Sequence, residues 1–333
     1  MKPTRTIRLL LSLILLWGMH GLHAQTNFFQ SSSDNLDTLP PFPVFSGLSP
    51  LLVPSEGLEM LWFNALSTQK NEQLPEVEPG EISRSTTLQH ILQLTYGVSE
   101  SGRFNLGLDL HYLHFRLDAD PDNSPLKVLK STASDTVVTD PDNEDILAIS
   151  FHTLSRVGLR FRWVPSPYLP ELTLQGGVLF PASFQAPSTK RVLDLARTEL
   201  WVQGNFYHTL GEGLYGFANA GAAIKLPDEL QRQTTLTPLA SLIVAKEIPG
   251  DLLIVFAQTA FNARFNDQYK AGLLNTGYQW LAGVGAQLQF SDHFSLSAEF
   301  QKPIVNDYKS LSLGYVSGSL TNFSINLRYI AGN

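Results

Sequence analysis

Across residues 281–301, LAGVGAQLQFSDHFSLSAEFQ, apolar and polar residues alternate one by one. Ala282, Val284, Ala286, Leu288 and Phe290 fall on one face, with Gly283, Gly285, Gln287 and Gln289 on the other. After a tight turn at Ser291, Asp292 and His293, the series Phe294, Leu296, Ala298, Phe300 opposes Ser295, Ser297, Glu299, Gln301. Successive side chains leave a strand on opposite sides, so the pattern predicts two antiparallel strands sharing one greasy face. That face is the core of a soluble sandwich or the lipid-facing wall of a membrane barrel. Alternation alone leaves both open.

The same period recurs along the chain. It predicts strands at residues 57–68, 84–98, 103–117, 146–164, 171–180, 195–208, 213–226, 234–247, 252–263, 276–290, 293–303 and 319–330. Their connections sort by length. Short turns at 99–102, 165–171, 211–213, 247–251 and 291–293 alternate with longer connections at 69–83, 118–145, 181–194, 227–233, 264–275 and 304–318. Short turns on one side and long loops on the other is the construction of bacterial outer-membrane barrels, and a sandwich has no reason to sort its loops so. The strands have the roughly 9 to 11 residues that a tilted membrane strand needs. An even count places both ends of the barrel on the short-turn, periplasmic side.

Aromatic placement points the same way, because Tyr, Trp and Phe gather at the two rims of such barrels. Phe104, Trp163, Phe206, Phe290, Phe294 and Tyr329 fall near the short turns; Tyr112, Phe180, Phe261, Tyr278, Trp280, Phe300 and Phe323 fall toward the long connections. The expected fold class is therefore all-β: an antiparallel transmembrane barrel of about twelve strands over 57–333.

The first residues add an export signal. Lys2, Arg5 and Arg8 precede an uncharged apolar run from Leu9 to Met19 that leads to Ala24, the pattern of a signal peptide over 1–24 cleaved after Ala24. The run is too short for a permanent membrane helix, and no other segment reaches the roughly 18 uncharged apolar residues of one. Residues 25–56, rich in Pro and Ser, keep neither period and are expected to form a periplasmic segment or a small plug. The expected location is the outer membrane of a Gram-negative bacterium.

Charge and cysteine narrow the function. The whole chain carries 23 Lys plus Arg against 30 Asp plus Glu, and removing residues 1–24 takes away three basic groups and no acidic ones. A chain this acidic is a poor general nucleic-acid binder. It has no cysteine, hence no disulfides, no thiolate chemistry and no lipid anchor on an N-terminal Cys. Expected partners are outer-membrane lipid, the barrel-assembly machinery and a small-molecule solute, with no cofactor.

At YGVSESGRFNLGLDLHYLHFR, residues 96–116, a Tyr-Gly pair, a short polar turn and an aromatic-x-Leu-Gly stretch resemble hairpins of outer-membrane transporter proteins, among them the family named for the meta pathway of phenol degradation. The resemblance implies passive uptake of small or hydrophobic compounds and transfers no binding residue. The last strand places Phe323, Ile325, Leu327 and Tyr329 on one face and resembles the C-terminal signal read by the barrel-assembly machinery, although Ile330, Ala331, Gly332 and Asn333 follow the Tyr.

Candidate chemistry lies on the lumen face. On 146–164 the alternation sends Phe151, Thr153, Ser155, Val157, Leu159, Phe161 and Trp163 outward and His152, Arg156, Arg160 and Arg162 inward. The lumen also receives Asp109, His111, Arg197, Glu199, Glu299 and Arg328, because charge on the lipid face costs roughly 2 to 4 kcal/mol for Arg or Lys at the midplane. An Arg column attracts anionic solutes. With acidic partners in comparable number, paired charges crossing the lumen are the stronger expectation.

An enzyme is not expected. His152 and Ser155 lie an odd number of residues apart, and Asp109 with His111 is the one same-face pair suited to general base chemistry. In the acidic connection 118–145, Asp120, Asp122, Asp140 and Asp142 offer oxygen ligands of the kind Ca²⁺ takes, without the spacing of a dedicated calcium loop. A solvated acidic loop is the expectation there. Residues 188–200 suit a short helix or a strand. The leading reading is a passive channel, the alternative a structural or assembly barrel acting through its loops, and the third an outer-membrane hydrolase.

Overall fold

The computed structural model describes residues 53, 55–70, 84–99, 103–118, 120, 122–131, 136–139, 146–166, 168–169, 171–182, 197–227, 233–248, 253–268, 272–291, 293–306, 309–310, 314–315 and 320–331. The signal peptide expected at 1–24 and most of the Pro/Ser-rich segment lie outside the described residues.

Twelve long strands run antiparallel and close on themselves. They are β1 (Leu58–Lys70), β2 (Arg84–Gly97), β3 (Phe104–Asp118), β4 (Ile146–Trp163), β5 (Leu172–Pro181), β6 (Glu199–Gly211), β7 (Leu214–Lys225), β8 (Thr235–Ile248), β9 (Leu253–Gln268), β10 (Gly272–Ser291), β11 (Phe294–Asn306) and β12 (Leu320–Ala331). Each pairs with its sequence neighbour, and closure comes from β12 on β1, from Leu58 opposite Ala331 to Gln69 opposite Leu320. Closure leaves no sheet edge in hydrocarbon, where each unpaired backbone group would cost several kcal/mol. A short strand, Thr136–Thr139, pairs with the outer end of β4.

The outer wall is greasy. Leu106, Leu108 and Leu110 on β3, Leu159 on β4, Val202 on β6, and Val284, Leu288 and Phe290 on β10 all face outward and are exposed. Val284 is 60% exposed and Phe290 56%, in a chain where every wall strand is hydrogen-bonded on both sides. Exposed apolar surface that girdles the whole barrel is a lipid-facing surface. Trp163, Phe206, Phe290 and Tyr329 lie toward the short turns, and Phe180, Phe261, Tyr278, Trp280, Phe300 and Phe323 farther up the wall, all exposed. Ring contacts Phe290–Phe294 and Phe261–Tyr278, at centroid distances of 5.4 and 6.4 Å, tie neighbouring strands at these levels.

Two expectations are corrected. The connection 264–275 is largely ladder, because β9 runs to Gln268 and β10 begins at Gly272. There the alternation runs on past Phe261: Asn262, Arg264 and Asn266 point inward, and Ala263 and Phe265 keep the apolar parity of the wall. The second correction is on β4. Its pairing with β3 shifts by one residue between His111 opposite Arg156 and Tyr112 opposite Leu154, leaving Ser155 as a β-bulge. A bulge exchanges the faces of everything on its far side. Phe151 and Thr153 therefore face inward, and His152 faces outward instead of lining the lumen.

Candidate functional site: the lumen wall

The inward side chains of β1 to β6, with Arg328 of β12, form a belt of charge. Arg156, Arg160 and Arg162 stand at alternate positions of β4 below the bulge, all on the lumen side. Arg156 Nη1 donates to Glu199 Oε2 at 2.6 Å. Arg162 Nη1 donates to Glu59 Oε2 at 3.0 Å, and Arg328 Nε to Glu59 Oε1 at 2.6 Å, so one carboxylate takes two guanidinium groups. Arg160 Nη1 lies 3.6 Å from Asp109 Oδ1, while its Nη2 donates to Gln175 Oε1 at 3.1 Å. All of these groups but the half-buried Arg328 are buried, where charge is tolerated only when paired and hydrogen-bonded.

Glycine makes the room for this belt. Arg160 is flanked across the sheet by Gly107 on β3 and Gly177 on β5. A Cβ on Gly107 would stand 2.8 Å from Arg160 Cγ, and one on Gly177 would stand 2.9 Å from Trp201 Nε1. The Arg160 stem therefore lies flat along the wall, with its guanidinium 5.7 Å from the centre of the Trp201 ring.

Two apolar patches border the belt on the inner wall. Leu113, Phe115 and Phe151, with Leu117 against them, lie toward the long loops. Ile243, Ala245 and Phe256, with Phe217 and Ile254, lie on β7 to β9 toward the short turns. Between these, β7, β8 and β10 present Asn219, Gly221, Ala223, Ser241, Gly283 and Gly285, all half-buried. Glu299 stands on this side, hydrogen-bonded by Gln258 and Gln301 through their amide groups. The wall is lopsided: one sector carries paired ions and is packed, the other carries small and amide groups and is more open.

The remaining candidates have other duties. Arg197 precedes β6 and is consumed by strand ends: Nε donates to Leu226 O at 3.0 Å, Nη2 to Lys225 O at 2.9 Å and to Gln233 O at 2.7 Å, and Nη1 to Thr235 Oγ1 at 3.1 Å. It clamps β6, β7 and β8 at the long-loop rim. His111 faces inward, with its Nδ1 accepting from Gln89 Nε2 at 3.4 Å. Ser155 Oγ donates to the His111 carbonyl at 3.0 Å, which holds the bulge in place. Asp120 Oδ1 accepts from the Asp122 backbone N–H at 2.8 Å, closing a local turn. Asp140 and Asp142 lie outside the described residues, among which no group of three His, Asp or Glu side chains is placed to hold a metal ion.

Sequence reasoning missed Glu59, the double acceptor, and Trp201, Gln175, Gln258 and Gln301. A signal for Glu59 was present: it sits an odd number of residues from Leu58, Met60 and Trp62, and so falls on the lumen face. At the short-turn end, Asn105 also binds chain from ahead of β1. Its Oδ1 accepts from Val53 N and its Nδ2 donates to Val53 O, both at 3.0 Å.

This architecture has solved counterparts. The chain is similar to an outer membrane channel of Pseudomonas putida F1, with 14% sequence identity, a TM-score of 0.55, and cover of 86% of this chain and 98% of that one. It is similar also to the β domain of the Bordetella autotransporter BrkA, with 12% identity, a TM-score of 0.50, and cover of 82% and 99%. The fold is that of the outer-membrane β-barrels. At these identities the likeness reaches no further than the fold. No family profile matches the chain, and no curated protein matches it in sequence.

Proposed function

We propose that the protein is a passive outer-membrane channel for small solutes, and that its route follows the open sector of β7 to β10. The observation that carries this is the pairing of the Arg column: Arg156 with Glu199, Arg162 and Arg328 with Glu59, and Arg160 with Asp109. A column of unpaired Arg makes an anion pore, whereas Arg held by carboxylates, here four guanidinium groups by three, makes a rigid wall of small net charge. The small and amide groups of the other wall, with apolar patches at both ends, suit neutral or weakly polar molecules. The likeness to a bacterial outer membrane channel supports this reading. No catalytic step is proposed, since Ser155 Oγ is bonded to backbone and Asp109 stands beside Arg160.

A second reading has its own support. The inward side chains of β1 to β5 are almost all buried, as in a barrel whose interior is filled and whose work is done by its loops. Planar-bilayer conductance of the refolded protein separates the two. Steady conductance with weak ion preference is the expected result. A folded barrel that passes neither ions nor small uncharged solutes leaves the structural reading standing.

A further inference from the structure

On the outer wall, at the end of the lipid-facing band, β2, β3 and β4 carry His90, Tyr112, His114 and His152 side by side, with ring centroids 5.1 Å apart for His114–His152 and 5.4 Å for His90–His114. The chain after β3 folds down onto this cluster. Ser131 Oγ lies 2.9 Å from His114 Nδ1, and Ser131 O accepts from His152 Nδ1 at 3.0 Å. At the other end of the segment Asn123 Nδ2 donates to Asp118 Oδ1 at 3.2 Å, and Asn123 O accepts from Arg84 Nη1. Both ends are thus fastened to the outside of the barrel.

Between the fastenings lies a 3₁₀-helix, Pro125–Lys130, capped by Ser124 through its side chain on Leu126 N. Side chains three apart eclipse on a 3₁₀-helix, so this one has three ridges. Val128 and Ser131 form the ridge against the barrel and are buried. Leu126 and Leu129 form the second, 60% and 57% exposed. Lys127 and Lys130 form the third, also exposed.

The height of this helix gives its ridges a meaning. From Phe104 to His114 the wall climbs about 25 Å, taking roughly 3.3 Å per residue and a tilt near 40°, which is the height of the apolar band of such barrels. The helix therefore rests where acyl chains give way to headgroups, above the exposed Leu106, Leu108 and Leu110 and next to the Tyr112 and His114 rings that follow them on the same face. A leucine ridge beside a lysine ridge at that level matches a lipid: chains for one, an anionic headgroup for the other.

We propose that residues 122–131 form a lipid clasp, in which Leu126 and Leu129 enter the outer leaflet and Lys127 and Lys130 bind the phosphate of a phosphate-bearing lipid. The clasp is independent of whether the lumen conducts.

The chain has no cysteine, so a single Cys introduced at each of the four ridge positions carries the only nitroxide label. In phosphatidylglycerol vesicles, labels at Leu126→Cys and Leu129→Cys are expected to relax with oxygen in preference to an aqueous nickel chelate, and labels at Lys127→Cys and Lys130→Cys the reverse. Equal access of the chelate to all four overturns the insertion. Native mass spectrometry then compares bound phosphatidylglycerol with bound neutral glycolipid. The preference is expected to fall about five-fold for each of Lys127→Gln and Lys130→Gln. An unchanged preference in the doubly substituted protein overturns phosphate binding.

Discussion

Arg162 and Glu59, separated by 103 residues in sequence, meet inside the barrel at 3.0 Å, and Arg328 closes on the same carboxylate from the other side. Through this carboxylate β4 is joined to β1 and β12, the two strands of the closing seam. Glu59→Gln strands the buried guanidinium of Arg162 and the half-buried one of Arg328, and removal of one partner from a buried pair typically costs about 3 kcal/mol or more. The urea midpoint of the detergent-solubilised barrel should fall accordingly, while Glu59→Asp keeps part of the stability. A midpoint unchanged in Glu59→Gln would sink the assignment of this pair as a structural tie.

Glu199 neutralises Arg156 across the wall from β6. In Glu199→Gln the Arg156 guanidinium keeps its charge and loses the Glu199 carboxylate, which adds net positive charge to the wall beside the β7 to β10 route. The reversal potential in a potassium chloride gradient should move toward chloride, and Arg156→Gln added to it should bring it back. The paired change is the informative one, because both variants at the wild-type value would mean that the charge of the β4 to β6 wall does not reach the route.

Gly107 gives the Arg160 stem its place on the wall, and a Cβ there would also meet Leu94 O at 2.4 Å. Gly107→Val should therefore destabilise the barrel by about 1 to 3 kcal/mol through overpacking. Thermal unfolding followed by heat-dependent gel mobility reads this directly, and Gly211→Ala, where a Cβ meets nothing within 4 Å, is the matched control.

His114 and His152 are directly opposed across β3 and β4 and share the outer face. Opposed Cβ atoms on one face are within reach of a disulfide. The double substitution His114→Cys with His152→Cys should crosslink on oxidation, and His114→Cys with Thr153→Cys, the pair that an unbulged β4 would oppose, should not. Crosslinking of the second pair alone would mean that β4 carries no bulge at Ser155.

What the sequence made legible was what the solvent enforces. Lipid admits only apolar groups on the outward positions, so Leu106, Leu108, Leu110, Val284 and Leu288 announce their face, and the polar partners follow by period. Asp109, Arg156, Arg160, Glu199, Glu299 and Arg328 all face the lumen in the structure, while His152 does not. A bulge is made by one unpaired residue, here a serine bonded to a carbonyl of β3, and no composition marks it. Pairing across the lumen was equally hidden. Period places Glu59 and Arg162 on the inner wall, but only closure brings β1 and β4 within reach of each other.

The seam between β1 and β12 also governs how the barrel can form. Asn64 Nδ2 donates to Ile325 O at 3.1 Å across a sequence separation of 261, and every rung of that seam has a comparable span. Local hairpins such as β6–β7 close short loops and form cheaply; the seam closes nearly the whole chain. Topologies dominated by distant contacts fold slowly, so the last rung-by-rung joining is the slow event of assembly. Until it happens the sheet has two bare edges, each a template for another chain. Twelve strands without that final pairing are a substrate for aggregation, and with it they have no edge at all.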